Sequence, residues 1–349
     1  IAIDLGGRES QICVRDATGR IVQESRHPTK QLGRFLGQCP PSRVIVETCA
    51  EAFAVADAAL AAGHEVRVVP GTLVRTLGVG SRGVKNDRRD AQILSQVSSQ
   101  IDLPSVHIPS ETSRNLKTMC GMRDALVSSR TQLICTVRGW LRGFAQGPLA
   151  ATTPALFCKR VRAHCKALPS YVERQLKIIE SLNEQIKTAD LELAKIASDN
   201  SVCERLQTVP GVGPVIAVRF ISAVDEISRF HSAHQLESYL GLVPGERSSS
   251  DKKRRTGITK AGNAALRAAL IQGAWSLRIR SKRKPDPMAD WALHVEMRRG
   301  KHIAVVALAR KIAGVLYALW RDGGVYDPFH TKGKKQQPTE KKPEQAIMI

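Results

Sequence analysis

The sequence predicts an α/β domain at the N-terminus followed by an all-α remainder, and three observations carry this. Short β-rich runs crowd residues 1 to 70. Two long amphipathic stretches follow with few interruptions. Beyond residue 200 the apolar spacing stays helical while the charge turns strongly basic.

In order, "IAIDLG" (1–6), "QICVR" (11–15) and "RIVQES" (20–25) read as strands, with "DATGR" (16–20) as a hairpin turn. A short helix is expected near 30–38, and "RVIVE" (43–47) is a fourth, buried strand. "AEAFAVADAALAAG" (50–63) is a helix ended by Gly63, and "HEVRVVP" (64–70) a fifth strand stopped by Pro70. The order βββαβαβ describes a mixed sheet flanked by helices. "DRRDAQILSQVSSQ" (87–100) is the next helix.

A long helix is expected over 113–144, with Leu116, Met119, Leu126, Leu133, Val137 and Leu141 on its apolar side. "GPLAATTPALF" (147–157) breaks it. Over 171–198, Ile179, Leu182, Ile186, Ala189, Leu193 and Ile196 form a heptad seam of about three repeats. Such a seam fits a hairpin within the chain and a coiled coil between chains equally well.

"LQTVPGVGPVIAVRFISAV" (206–224) reads as helix, P-G-x-G turn, helix, a helix-hairpin-helix-like unit. Gly211 and Gly213 would let backbone N–H groups approach a phosphate at a helix N-terminus. A tight turn with no ligand fits nearly as well. "TKGKKQQPTEKKPEQAIMI" (331–349) reads as a disordered basic tail. The expected domains are 1–110, 111–200, 201–330 and that tail.

The 349 residues are 42% hydrophobic, ordinary for a folded protein. The charge is not ordinary: 53 Lys+Arg against 32 Asp+Glu give +21. Basic runs recur in "KKRR" (252–255), "RIRSKRK" (278–284), "RRGK" (298–301) and "KGKK" (332–335), a surface suited to nucleic acid rather than to a small metabolite. A membrane-surface helix would concentrate that charge on one amphipathic segment. The 8 cysteines show no C-x-x-C pair and no zinc spacing, which suggests free thiols in a reducing cytoplasm. His231 and His234 read as ordinary helix-end residues. No signal peptide is evident, and the apolar run 303–320 carries Arg310 and Lys311 at its centre, against a membrane span. The expected location is cytoplasmic, at the nucleoid when DNA is bound. The chain opens at Ile1 and is expected to lack at least an initiating residue.

In "VKNDRRDAQIL" (84–94), Asp87 and Asp90 stand three apart, so a helix gives both carboxylates one face. Taken alone, the pair reads more readily as a plain feature, with Asp87 as a helix N-cap, than as a cation site. Asp4 lies on the first strand, and Glu47 ends the fourth, which this strand order sets beside the first. The helix over 87–100 can pack across that sheet, which brings Asp4, Glu47, Asp87 and Asp90 together. Hard oxygen donors in such a cluster suit Mg²⁺ or Mn²⁺. In a basic protein, the implied chemistry is on phosphodiesters.

This strand order with its acidic quartet resembles the RNase H-like fold of Holliday-junction resolvases of the RuvC type. Further motifs are "VIVETCA", "KNDRRDA", "VPGVGPVIA" and "YLGLVPGERSSSDKKRRTGITKAGNAALRAAL". With "IAIDLGG" they resemble, in order, the DEDD transposases of insertion-sequence family 110. The likeness is nearest to the 1111 subgroup, related to the Piv invertase. It implies a RuvC-like DEDD domain, a coiled-coil segment and a helical transposase domain with a nucleophilic serine. It also implies that Asp4, Glu47, Asp87 and Asp90 are the metal-binding quartet.

Members commonly read S-S-G or Q-S-G at the serine loop, where this chain has "ERSSSDK", with Ser250 in place of the glycine. Aligning from "GLVP" sets Ser249 at the nucleophile position, with Ser248 and Ser250 as alternatives. Arg247, Lys252, Lys253, Arg254 and Arg255 could hold the scissile phosphate, with Lys260 on neighbouring backbone. The resemblance further implies double-stranded donor and target DNA as substrates. It implies a structured noncoding bridge RNA as guide, and a dimer to tetramer on DNA with composite sites.

The alternative is a hydrolytic, metal-dependent nuclease of the resolvase type, which would need no basic second domain with a serine loop. A sugar-kinase or actin-like fold would need a second Asp-Gly phosphate loop and a glycine-rich adenosine site, and neither is found. A non-catalytic nucleic-acid binder would not need a complete quartet.

Overall fold

The computed structural model describes residues 1–76, 87–144, 147, 149–249 and 252–329. Two compact units divide between Ser110 and Glu111. The expected tail, 331–349, lies outside the described residues.

The first unit holds β1 (Ala2–Asp4), β2 (Glu9–Arg15), β3 (Ile21–Pro28), α1 (Leu32–Gly37), β4 (Arg43–Glu47), α2 (Ala52–Ala61), β5 (Glu65–Val69), α3 (Gly71–Thr76) and α4 (Asp87–Gln100). Its sheet runs β3-β2-β1-β4-β5. β1, β2 and β3 are antiparallel neighbours, while β4 and β5 run parallel to β1. This is the expected mixed sheet, with the fourth strand beside the first.

Alternation along the strands divides the apolar side chains between two cores. Ile3, Ile12, Val44, Val46 and Val68 bury against Leu32 and Leu36 of α1 and Val55, Ala56 and Ala59 of α2. On the other face, Ala2, Ile45 and Val69 meet Val74, Leu94 and Leu103. Leu94, 3% exposed, contributes about 2 kcal/mol by that burial and fixes α4 to the sheet.

The second unit contains α5 (Glu111–Gly143), α6 (Pro154–His164), α7 (Ser170–Ser198), α8 (Ser201–Gln207), α9 (Pro214–Val224), α10 (Ala233–Tyr239), β6 (Pro244–Ser249), β7 (Lys252–Ile258), α11 (Ala264–Arg280), α12 (Pro287–Arg299) and α13 (Lys301–Asp322). Two elements depart from the sequence reading. The stretch 147–157 does interrupt the long helix, α5 ending at Gly143, but its last residues are helical: Pro154 begins α6 at its first turn, where a missing N–H costs nothing. The basic serine-rich stretch is a β-hairpin, so this unit is not purely helical.

Side chains start the helices: Asn200 accepts from Val202 N and Cys203 N, Asn263 from Leu266 N, and Asp286 from Met288 N. Along α7, Ile179, Ile186 and Leu193 are buried within their own chain, where α7 packs on α5 and α9. The apolar α13 is a core helix by its contacts: Leu308, Ile312 and Leu316 are fully buried. Arg310 Nε donates to Glu237 at 2.6 Å, and the Lys311 ammonium sits 4.5 Å from the centroid of Trp291. Among the described residues it is the one helix long and apolar enough to cross a membrane, and half of its most apolar window is buried in the chain.

Candidate active site

β1 and β4 pair with Ala2 opposite Ile45 and Ile3 opposite Val46. One step further, Asp4 and Glu47 end the two strands at the same level. Ala2 and Ile45 belong to the core under α4, so Asp4 and Glu47, two residues on, face the same side. α4 packs on β1, β2 and β4, and its first turn carries Asp87 and Asp90. Asp87 is exposed; Asp90, one turn before Leu94, is 7% exposed.

All four carboxylates are therefore associated with one sheet face and its covering helix. Their hard oxygen donors have the chemistry Mg²⁺ or Mn²⁺ prefers. Among the described residues, no three Asp, Glu, His or Cys side chains close into a cation-holding group. Asp4 and Glu47 thus end on the sheet face that α4 covers, and Asp87 and Asp90 stand in the first turn of that helix, without closing into a cage among the described residues.

α4 is clamped there by residues that sequence reading did not single out. Arg15 on β2 donates from Nε to Ser95 Oγ at 2.8 Å and from Nη2 to the Gln92 carbonyl at 3.3 Å. Glu24 on β3 accepts from Arg88 and from Gln92. The i, i+4 spacing of Arg88 and Gln92 signals a shared helix face, but the sequence does not say what that face meets.

The hairpin β6–β7 pairs Ser249 with Lys252, Ser248 with Lys253, Arg247 with Arg254 and Glu246 with Arg255. Ser250 and Asp251 lie outside the described residues. Ser249 thus occupies the last described pair of the ladder, and Ser248 the one behind it.

The base of the hairpin is fastened to α10 and α11. Thr259 N donates to the Val243 carbonyl at 2.9 Å. Arg267 Nη1 donates to the carbonyls of Leu240 and Ala261, each at 2.9 Å. A Cβ on Gly262, whose φ is +72°, would stand 2.0 Å from the Tyr239 carbonyl oxygen. "YLGL" and "GITKAGN" are therefore two halves of one backbone junction. Lys260, within it, is exposed and left-handed at φ 57°.

In the helix-hairpin-helix-like turn between α8 and α9 the two glycines differ. Gly211, at φ +89°, lies against α11, where a Cβ would meet the Gly273 carbonyl oxygen at 2.4 Å. That close approach is enough to require a glycine there. Gly213 caps α9, with Pro214 at N1, and a Cβ there would meet nothing within 4 Å. Thr208 and Pro210 share the rim of a shallow cavity with Arg280, Lys284, Asp286 and Tyr326.

All eight cysteines are free thiols. Burial pushes Cys158 up to about 11 and Cys203 up to about 12, so neither supplies a thiolate nucleophile near neutrality.

Comparison with known proteins decides the family. A DEDD transposase model matches residues 1–145, and the transposase IS116/IS110/IS902 family model matches residues 203–288. The chain is 30% identical over 334 residues to a transposase for insertion sequence element IS1111A from Coxiella burnetii, covering 91% of this chain and 88% of that protein. The chain belongs to the IS116/IS110/IS902 family of transposases. A transposase for insertion sequence element IS1328 from Yersinia enterocolitica is 28% identical over 341 residues, 93% of this chain and 98% of the relative. A probable family 20 transposase from Pseudomonas aeruginosa is 27% identical, over 94% of this chain and 98% of its own. The transposase is thus a DNA-recombining enzyme, and its net charge of +21 suits the DNA on which it acts.

Proposed function

We propose that this transposase cuts and rejoins donor and target DNA through a covalent serine–phosphate linkage, at sites chosen by a structured noncoding RNA. Ser249 is the nucleophile. Its Oγ attacks a backbone phosphorus, the bond from phosphorus to the leaving sugar oxygen breaks, and that oxygen takes up a proton as a free hydroxyl. The serine proton passes to water or a nearby base. In rejoining, a hydroxyl of the other DNA displaces Ser249, so no external energy source is needed.

Arg247, Lys252, Lys253, Arg254 and Arg255 spread the charge that develops on the phosphate. Lys260, Gly211 and Gly213 are assigned to backbone phosphates on either side. Asp4, Glu47, Asp87 and Asp90 would hold Mg²⁺ or Mn²⁺, which supplies neutralisation of phosphoryl charge when bound. By the family resemblance, the first unit is RNase H-like.

The observation that carries this reading is the level, same-face placement of Asp4 and Glu47 under α4, in a chain that also has the serine hairpin. Quartet and serine belong to different units of the chain. An assembly of two to four copies on DNA would let the serine of one copy serve the carboxylates of another. A guide RNA accounts for a chain with so much positive charge, only 4% aromatics and no recognisable sequence-reading module.

The guide is tested by purifying the protein from cells that express the noncoding region flanking its gene and sequencing the nucleic acid that accompanies it. A single structured RNA with loops complementary to two DNA sites is expected. A heterogeneous mixture reporting only charge-driven binding would contradict guidance.

A further inference from the structure

Gly71 opens α3, immediately after β5, and its backbone does not ask for glycine: its φ lies outside the left-handed region. What it lacks is space. A Cβ at this position would stand 2.6 Å from Glu47 Oε1 and 3.6 Å from Glu47 Cδ. The Glu47 carboxylate occupies the volume that any other residue at 71 would fill.

The backbone around this notch is fixed on both sides. Gly71 N donates to Thr48 Oγ1 at 3.0 Å, and Thr48 N donates to the Val69 carbonyl at 2.9 Å. Glu47 itself pairs with Val69 in the parallel β4–β5 ladder. Pro70 just before the notch has a fixed φ, and its carbonyl accepts from Leu73 N at 2.9 Å and Val74 N at 3.1 Å. An added methyl group therefore cannot be relieved cheaply by moving the chain. What must yield is the far end of the Glu47 side chain, by rotation away from its present position.

From this we infer that Gly71 is a positioning residue for Glu47: it leaves the notch that sets where the carboxylate stands on the acidic face. The inference rests on the reading of Glu47 as a cation ligand. It predicts an unusual pairing of effects for a glycine at a helix start. Gly71→Ala should cost little stability, because a side-chain terminus moves rather than backbone, yet it should displace one donor of the quartet.

The test uses the full-length protein with Mn²⁺ as the probe, free ion being followed by its electron paramagnetic resonance signal. Gly71→Ala should weaken Mn²⁺ affinity about tenfold, as removal of a ligand's support commonly does, while the melting temperature falls by no more than about 2 °C. In a Glu47→Asp background, whose shorter carboxylate stands clear of the notch, the same substitution should change affinity less than about twofold. Equal effects in both backgrounds, or full affinity in Gly71→Ala when Glu47→Ala has lost it, would overturn the inference. Should Gly71→Ala fail to fold, recovery of folding in Gly71→Ala/Glu47→Ala supports the steric coupling, and failure in both overturns it. Undiminished Mn²⁺ binding in Glu47→Ala is a different failure, that of the acidic-site reading itself.

Discussion

Arg88, one residue past Asp87, forks onto Glu24 of β3: Nε donates to Oε1 at 3.2 Å, and Nη2 donates to Oε2. Gln92 donates to the same carboxylate at 2.6 Å. The helix that carries two of the four carboxylates is thus tied to the sheet beside its first turn.

Arg88, and after it Gln92, hold the Glu24 carboxyl below its usual 4.5. A group depressed in the folded state contributes fully above its unfolded value, and that contribution fades as pH falls through the lowered one. Protection of the α4 amides against exchange, taken relative to the intrinsic rate at each pH, should therefore fall below about pH 4.5. Glu24→Gln should raise exchange there already at neutral pH and reduce DNA cleavage about tenfold or more through loss of position. Unchanged exchange in Glu24→Gln would show that Arg15 and Leu94 suffice to hold the helix.

In the second unit, Arg219 of α9 is 7% exposed and donates to both carboxylate oxygens of Asp124 on α5, at 2.6 and 2.8 Å. Asp124→Ala leaves a guanidinium without its partner and should cost about 3 kcal/mol in urea unfolding. Asp124→Ala/Arg219→Met should regain most of that loss, since an apolar side chain at 219 needs no counter-ion. A double variant no more stable than the single one would contradict this.

Lys260 holds a left-handed backbone that glycine adopts freely. Lys260→Gly should therefore raise stability by about 1 kcal/mol. If the lysine meets a DNA phosphate, the same variant should bind DNA more weakly and lower the slope of log affinity against log salt by about one. Stability and binding moving in opposite directions is the expected signature.

The glycines of the α8–α9 turn should also separate. Gly211→Ala strikes the Gly273 carbonyl and should lower the melting temperature by several degrees, roughly 2–4 °C for each kcal/mol lost. Gly213→Ala fills open space and should stay folded, so that a fall in its DNA affinity would report a phosphate at this turn.

Much of the first unit was legible because strand alternation and helix periodicity are strong there. β4 matches its expected bounds of 43–47, and α4 its expected 87–100. The hairpin β6–β7 was not legible, since "ERSS" and "KKRRT" alternate no apolar side chains; its pairing is supported by the junction around Gly241 and Gly262, far from it in register. α3 was missed because Pro70 marks a stop without announcing a new start. The heptad positions on α7 were readable, but α5 and α9 as their partners were not, because periodicity names a face and not what covers it. For the same reason Asp4 and Glu47 could be paired from strand order, whereas Glu24, Arg15 and Gly71 emerge only once α4 and α3 have definite positions.

The most direct test of the account is to incubate protein, guide RNA and end-labelled DNA with Mg²⁺, denature, and map any protein–DNA adduct by mass spectrometry. A phosphodiester link at Ser249 is expected, absent in Ser249→Ala and strongly reduced in Asp4→Ala. Cleavage of the correct DNA with no covalent adduct would contradict it and point instead to hydrolysis by water at the acidic face.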